Sequence, residues 1–218
     1  MADEPAFEWP KGREHLLEGV CSAVRRVKGE LNSGTSINTN RIKESFAEQF
    51  SKFTEGSDIE WQFRPSIERD ERGRLKDAGF LFDLIWYNVV RVGKLCLLQN
   101  VALIVESELS SGLKQAQHDF LKLLCFNSLV KLAIVHCSEL NCRNLVSNAI
   151  RECRDITEGR YMIWRVNGHR IELFAEFDLC LENGDKRLNP IDGLLFKSKD
   201  VLDGWEKVSN DYFYYSLK

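Results

Sequence analysis

Three carboxylates stand inside or at the end of apolar stretches of this sequence: Asp83, Glu106 and Glu108. A buried carboxylate without a partner costs free energy, and several close together repel one another. A hard divalent cation with oxygen ligands relieves both penalties. Such a cation also acidifies bound water and stabilises negative charge that develops on a phosphoryl group. The three acids therefore predict a site for Mg²⁺ or Mn²⁺ that could activate water for hydrolysis.

Two apolar runs must position these acids. FLFDLIWYNVV (80–90) contains Asp83, and LCLLQNVALIVESEL (95–109) ends with the two glutamates. Near-continuous apolar runs of this length are typical of strands in a sheet that is covered on both faces. If the two strands pair as a hairpin, Asp83 lies beside Glu106.

Side-chain alternation along the second run determines which residues share a face. Residues two apart in a strand point the same way, so Glu106 and Glu108 are expected on one face. The same alternation places Ala102 and Ile104 on that face. The strand thus ends in an acidic patch rather than in two separate charges.

Four helices are predicted from apolar residues at helical spacing, over residues 13–31, 40–54, about 112–127 and about 141–157. Asn40 is expected to cap the second helix. The residues expected to face the core are Leu16, Leu17, Val20, Ala23, Val24, Val27 and Leu31 in the first helix, Ile42, Phe46, Phe50 and Phe53 in the second, Leu113, Ala116, Phe120, Leu123 and Leu124 in the third, and Leu145, Ala149, Ile150, Cys153 and Ile156 in the fourth.

Further strands are predicted over 59–67, where Pro65 favours a sheet edge, and over 129–137. Asn167-Gly168 is a strong hairpin signal between two apolar stretches. The alternating residues expected to face inward in the second arm of this hairpin are Ile171, Leu173, Ala175, Phe177, Leu179 and Leu181. The order of elements predicts an α/β fold with a mixed central sheet flanked by helices.

A single domain is expected over residues 1–218. Its N-terminal helices, within 1–57, would pack on a core over 58–182, and 183–218 would form a C-terminal extension. The composition, with 44% hydrophobic residues, suits a sizeable core. The chain has no apolar run long enough to span a bilayer, and its N-terminus lacks the layout of a signal peptide.

Seven scattered cysteines without a CxxC pair favour a reduced, cytoplasmic protein rather than a zinc ribbon or a redox motif. The net charge of −3 does not by itself favour nucleic acid as a partner, because phosphate binding requires a local basic surface. A basic face can still exist within an acidic total. Charge therefore lowers the expectation of nucleic-acid binding without excluding it.

The acids and their order resemble the PD-(D/E)xK nuclease superfamily, whose fold is restriction-endonuclease-like. That family places an acidic residue on one strand and (D/E)-x-K on the next, followed by a helix and a further strand. Asp83 matches the first acid, and Glu106-Ser107-Glu108, 23 residues later, matches the tripeptide. The resemblance covers about residues 59–137 and makes the chain a Glu-x-Glu variant.

The resemblance implies that Asp83, Glu106 and the backbone carbonyl of Ser107 hold Mg²⁺ or Mn²⁺. It also implies an endonuclease that hydrolyses phosphodiesters, most readily in DNA, and cleavage of two strands would favour a homodimer. Two departures stand out. Leu81 and Phe82 precede Asp83, where the family has a proline, and Glu108 stands where the family has lysine. Glu108 would then act as the general base or as an additional metal ligand.

Gln117 and Lys122 lie on the helix after the motif, where members of the family often place groups that contact the substrate. Either residue could assist the reaction. A solvated helix face is the simpler interpretation and is the one preferred for both.

Two other interpretations stay open. A restriction-like fold could bind nucleic acid or a protein without cutting, and the acidic net charge and missing lysine favour that alternative. The acids could instead be structural, each paired with an arginine such as Arg64 or Arg91. The structural interpretation ranks last, because three acids would need several buried cations.

Overall fold

The computed structural model describes residues 13–32, 38–54, 61–65, 67–69, 75–77, 81–92, 95–109, 113–153, 155–168, 170–182, 185–191, 206–207 and 213–215. Helices occupy α1 (Arg13–Asn32), α2 (Thr39–Thr54), α3 (Leu113–Cys125) and α4 (Glu139–Glu152). All four predicted helices are confirmed, with ends that shift by a few residues. In this part of the chain, no helix is both long and apolar enough to cross a membrane.

The strands are β1 (Trp61–Pro65), β2 (Ile67–Arg69), β3 (Leu75–Asp77), β4 (Leu84–Val92), β5 (Leu95–Glu108), β6 (Val130–His136), β7 (Gly159–Asn167), β8 (Arg170–Glu182), β9 (Asp185–Pro190), β10 (Glu206–Lys207) and β11 (Phe213–Tyr215). One sheet has the order β1-β4-β5-β6-β7-β8-β9-β11-β10, and β2 pairs with β3 in a separate ribbon. Pro65 lies on the edge strand β1, as its missing N–H predicts.

The sheet is mixed. β4 and β5 form the expected antiparallel hairpin, whereas β5, β6 and β7 run parallel and are connected through α3 and α4. β7 and β8 form a second antiparallel hairpin, and β9 extends the sheet beyond β8. The predicted α/β class, with a mixed central sheet flanked by helices, is confirmed.

Helices cover both faces of the sheet, which explains why its central strands are apolar on both sides. On one face the buried side chains of α1 and α2 pack against β4, β5 and β6. On the other face α3 and α4 pack against the same strands and against β7 and β8. The carboxyl end of β5 therefore lies between two helical layers, and either layer can supply partners to residues there.

A β-bulge changes the face pattern of β5. Trp86 of β4 pairs with Leu103 and Tyr87 with Val101, so Ala102 is an extra residue between the two pairs. Ala102 packs in the α1/α2 layer and Ile104 in the α3/α4 layer. The prediction that these two residues share a face is therefore wrong, because strict alternation does not survive an inserted residue.

Several side-chain predictions at the ends of elements are wrong. The second helix begins at Thr39, and the Asn38 side chain rather than that of Asn40 accepts a hydrogen bond from the N–H of Arg41. Leu113 is 41% exposed and Leu181 is 40% exposed, although both were expected to face the core. The side chains of Phe53, Arg64 and Arg91 lie outside the described part of the structure.

The β7–β8 hairpin contains a second irregularity. Ile163 pairs with Ala175 and Trp164 with Leu173, so Phe174 is the extra residue. Phe174 and Ala175 consequently pack in the same layer, while Ile171 faces the other layer. Gly168 has φ +57 in the turn, a left-handed conformation that glycine adopts without strain. The predicted turn is thus present, and the predicted uninterrupted alternation after it is wrong.

Gly159 begins β7 with φ +141, and a Cβ there would lie 2.6 Å from the carbonyl oxygen of Ser128. We expect Gly159→Ala to lower the free energy of unfolding by about 2–4 kcal/mol, because backbone rather than a flexible side chain must move. Gly29, near the end of α1, has open space around the position that a Cβ would take. Gly29→Ala should instead raise stability by about 0.5–1 kcal/mol through helix propensity. Urea denaturation of both variants checks these opposite signs.

Candidate functional site

The sequence suggested that Asp83 lies inside a strand, and this prediction is wrong. Asp83 occupies a bend one residue before β4, where the chain enters the hairpin. One of its carboxylate oxygens, Oδ2, accepts hydrogen bonds from the backbone N–H of Ser107 at 2.8 Å and from Ser107 Oγ at 2.6 Å. Asp83 therefore fastens the beginning of β4 to the end of β5 and holds its own carboxylate beside Glu106.

Glu106 is almost completely buried, with its side chain 5% exposed. It follows Ile104 by two residues, after the bulge, so it faces the layer formed by α3. Its Oε1 lies 2.5 Å from Lys122 Nζ. A carboxylate in this position needs a cation, and α3 provides one.

Lys122 is the centre of this contact. Its Nζ also lies 2.9 Å from Asp119 Oδ1 and donates a hydrogen bond of 3.2 Å to the carbonyl oxygen of Leu81. The side chain is only 21% exposed. The preferred interpretation of Lys122 as part of a solvated face is therefore wrong, because its ammonium reaches inward to two carboxylates and a backbone carbonyl.

Asp119 was not found by sequence reasoning. It is buried on α3, and Gln115 Nε2 donates hydrogen bonds to its two carboxylate oxygens at 3.2 and 3.3 Å. A signal was present, because Asp119 interrupts the apolar stripe between Ala116 and Leu123 at helical spacing. A carboxylate at a core-facing position indicates a partner, and here that partner is Lys122.

Lys43 is a second cation that the sequence did not indicate. It lies on α2, is 8% exposed, and its Nζ is 2.8 Å from Asp83 Oδ1. Lys43 precedes Phe46 by three residues, on the flank of the buried stripe. The two helical layers thus each contribute one lysine to the acids at the end of the β4–β5 hairpin.

The other predicted site residues are Glu108, Ser107 and Gln117, and not all of them contact Asp83 or Glu106. Glu108 ends β5 and is half-buried. The carbonyl oxygen of Ser107 accepts a hydrogen bond of 3.4 Å from Thr39 Oγ1. Gln117 is half-buried on α3, and within the described residues it forms no hydrogen bond to Asp83 or Glu106. The structure therefore brings together Asp83, Glu106, Ser107 and Lys122, but not Gln117.

Burial dominates the electrostatics of Glu106. Burial raises the pKa of this carboxyl, the hydrogen bond from Lys122 opposes that shift, and the nearby charge of Asp83 adds to it; together they bring the pKa to about 8. Burial lowers the pKa of Lys122, but the hydrogen bonds to Glu106 and Asp119 outweigh it, so the net shift is upward. The lysine stays charged while the glutamate retains a proton more readily than an exposed one.

The donor atoms suit a hard divalent cation in kind, since two carboxylates and a backbone carbonyl offer only oxygen. Among the residues that the structure describes, no group of three or more His, Cys, Asp or Glu side chains is arranged to hold a metal ion. Asp83 and Glu106 could contribute to such a site with water completing the shell, as Mg²⁺ commonly requires. Lys43 and Lys122 would then share the carboxylates with the metal or move aside.

No family model, curated protein or solved structure matches the chain. Its function must consequently be inferred from its residues and their geometry.

We expect Glu106→Gln to change the pH dependence of stability. The folded-state pKa of about 8 exceeds the ordinary value of 4.5, so the folded protein holds a proton that the unfolded chain releases. This contribution is fully present below pH 4.5 and is lost as the pH rises towards 8. The difference in unfolding free energy between wild type and Glu106→Gln should fall by roughly 5 kcal/mol across that window.

Urea denaturation from pH 5 to pH 9, in buffer containing a chelator, measures this difference. Glu139→Gln provides the control, because Glu139 is an exposed glutamate at the start of α4. Its profile should run parallel to that of the wild type. A Glu106→Gln profile that also runs parallel would contradict the assigned burial of charge.

Proposed function

We propose that the chain is a metal-dependent nuclease of the restriction-endonuclease type that hydrolyses phosphodiester bonds in DNA. The observation that carries this proposal is the position of Lys122 Nζ, 2.5 Å from Glu106 Oε1 and on the helix that follows the Glu-x-Glu strand. The resemblance requires an amine beside two carboxylates, and residue 108 does not supply one. Lys122 supplies it from α3.

The arrangement of the surrounding elements supports the same proposal. Asp83 directly precedes one arm of the β4–β5 hairpin, Glu106 lies on the other arm, and α3 connects β5 to the parallel strand β6. This is the acid-strand, Glu-x-Glu-strand, helix, strand order that the resemblance implies. The acids lie near the carboxyl end of β5, the end from which the chain passes to α3.

Each residue then has a distinct task. When bound, Mg²⁺ or Mn²⁺ would lower the pKa of a water molecule and stabilise charge on the phosphoryl group. Asp83 and Glu106 would hold the cation, with the carbonyl of Ser107 as a further ligand. Lys122 would orient the attacking water and stabilise the developing negative charge. Glu108, half-buried at the end of β5, would accept a proton from that water.

The second candidate is a restriction-like module that binds nucleic acid or a protein without cutting. The observation in its favour is that Lys43 and Lys122 already lie within ion-pair distance of Asp83 and Glu106. Acids compensated by protein cations have less need of metal, and a buried ion pair can be retained for structure alone. This is close to the structural interpretation of the sequence, with lysines in place of the suggested arginines.

The choice of DNA, a cytoplasmic location and a homodimer that cuts both strands belong to the same proposal. Because the net charge is −3, contact with phosphates would depend on a local basic surface.

We expect Lys122→Met to reduce Mg²⁺-dependent cleavage of DNA at least 100-fold, because loss of one positioned charge-stabilising group commonly costs roughly this much. Asp83→Asn should reduce cleavage at least as strongly. Lys114→Met, on an exposed turn of the same helix, should leave cleavage within a factor of about two. Rates are measured on single- and double-stranded DNA and RNA, with thermal unfolding to confirm folding. A wild-type protein inactive on all substrates with both metals contradicts the enzyme proposal.

Metal binding separates the two candidates. A functional site should bind Mn²⁺ with micromolar to submillimolar affinity in calorimetry, and Asp83→Asn should weaken this binding at least tenfold. Glu152→Gln, at an exposed carboxylate on α4, should bind like the wild type. Absence of binding by the wild type would favour the non-catalytic module.

A further inference from the structure

Two cysteines distant in sequence meet at the carboxyl ends of α3 and α4. Cys125 ends α3, Cys153 follows α4, and their sulfur atoms are 3.5 Å apart although 28 residues separate them. Both are thiols in this structure. A disulfide needs a sulfur–sulfur distance of about 2 Å, so formation of the bond would require a closure of only about 1.5 Å.

The segments that carry the two thiols are held together by Thr157. Its backbone N–H and its Oγ1 both donate hydrogen bonds to the carbonyl oxygen of Leu124, and Oγ1 also contacts the carbonyl of Phe126 at 2.8 Å. The residues on both sides of Cys125 are therefore fastened to the chain that leaves Cys153. These hydrogen bonds of Thr157 hold the two sulfur atoms close together.

Two buried lysines brace the same region. Lys131 Nζ donates to the carbonyl oxygens of Thr157 and Glu158 at 2.9 and 2.7 Å. Lys186 Nζ donates to the carbonyl oxygen of Ile150 at 2.6 Å and to that of Cys153 at 2.5 Å. Lys186 thereby binds carbonyl groups at the end of α4. Lys186 thus holds the carbonyl group of Cys153 itself, and Lys131 holds the Thr157 segment that is bonded to the residues on either side of Cys125.

The two thiols differ in exposure and hydrogen bonding. Cys125 is exposed, whereas Cys153 is 8% exposed. Burial, and then a hydrogen bond to Cys125, raises the pKa of Cys153 to about 11, while the charge of Lys186 lowers it. Burial thus favours the protonated form of Cys153, whose sulfur lies within hydrogen-bond distance of the Cys125 sulfur. The exposed sulfur is the one that a dissolved oxidant can reach first.

We propose that Cys125 and Cys153 are a site of reversible disulfide formation by exchange with a small-molecule disulfide such as oxidised glutathione. The Cys125 thiolate attacks one sulfur of glutathione disulfide and releases a first glutathione thiolate. The Cys153 sulfur, having given up its proton, then attacks Cys125 and displaces the second glutathione thiolate. The two cysteine protons end on the two glutathione molecules, so one protein disulfide forms and one glutathione disulfide is reduced.

The disulfide between Cys125 and Cys153 would join the end of α3 to the end of α4. Cys125 lies about one helical turn after Lys122. The site does not depend on nuclease activity, and its test uses no catalytic readout. The disulfide would close a loop of 28 residues, which restricts the unfolded chain. Oxidised protein should therefore unfold about 5–10 °C higher than reduced protein.

The experiment equilibrates the full chain in glutathione buffers of decreasing reducing strength, blocks free thiols with iodoacetamide, and maps tryptic peptides by mass spectrometry. We expect a disulfide between peptides 123–131 and 152–154 that disappears on reduction. Cys153→Ser should stop at a mixed disulfide between glutathione and Cys125. Cys125→Ser, at an exposed position that tolerates the change, should abolish both products and the rise in unfolding temperature.

Cys21→Ser is the matched control, since Cys21 is half-buried on α1, in the opposite layer, and should leave the linked peptide unchanged. Stable glutathionylation of wild-type Cys125 without the linked peptide would overturn the proposal. So would a disulfide through any other cysteine pair, or no change of either thiol in fully oxidised buffer.

Discussion

Burial of the Glu106 carboxylate at the end of β5 is the constraint around which its neighbours are organised. A charge in this position has lost most of its hydration, and free energy is recovered only through nearby cations and donors. Lys122 reaches it from α3, and Asp119 with Gln115 keeps that lysine in place. A purely apolar contact would not need such a chain of polar residues between a helix and a strand.

Asp83 extends the same organisation to the other helical layer. Its Oδ2 binds Ser107 and its Oδ1 binds Lys43, so one carboxylate connects β5 with α2. The acids thus link the two helical layers at the point where the pairing of β4 with β5 ends. Polar contacts at this position can hold the layers together and can also bind a metal ion. The two proposed functions therefore differ in metal binding and share the same fold.

Much of the fold could be predicted because its signals are local. Continuous apolar runs indicated β5 and β6, and Asn167-Gly168 indicated the β7–β8 hairpin. The faces of β5 could not be read from alternation, since an inserted residue leaves no mark in the pattern. Pairing Asp83 with Glu106 followed from hairpin geometry, which is also a local property of the chain.

The cations at the site could not be predicted in the same way. Lys43 and Lys122 are recruited from helices that are remote in sequence, and which face of a helix meets a strand end depends on tertiary packing. Composition suggested only that an acid needs a partner. An arginine or a lysine could be expected as the partner of such an acid, and the structure supplies lysines from the covering helices.

The bulge at Ala102 changes which face of β5 the residues after it occupy. The order of faces changes at Ala102, so the orientation of Glu106 depends on an extra residue four positions before it. Loss of Ala102 would exchange the faces of Glu106 and Ser107 relative to the residues that precede the bulge. Sequence length between Leu95 and Val105, and not only the identity of the acids, therefore decides which helical layer the carboxylate meets.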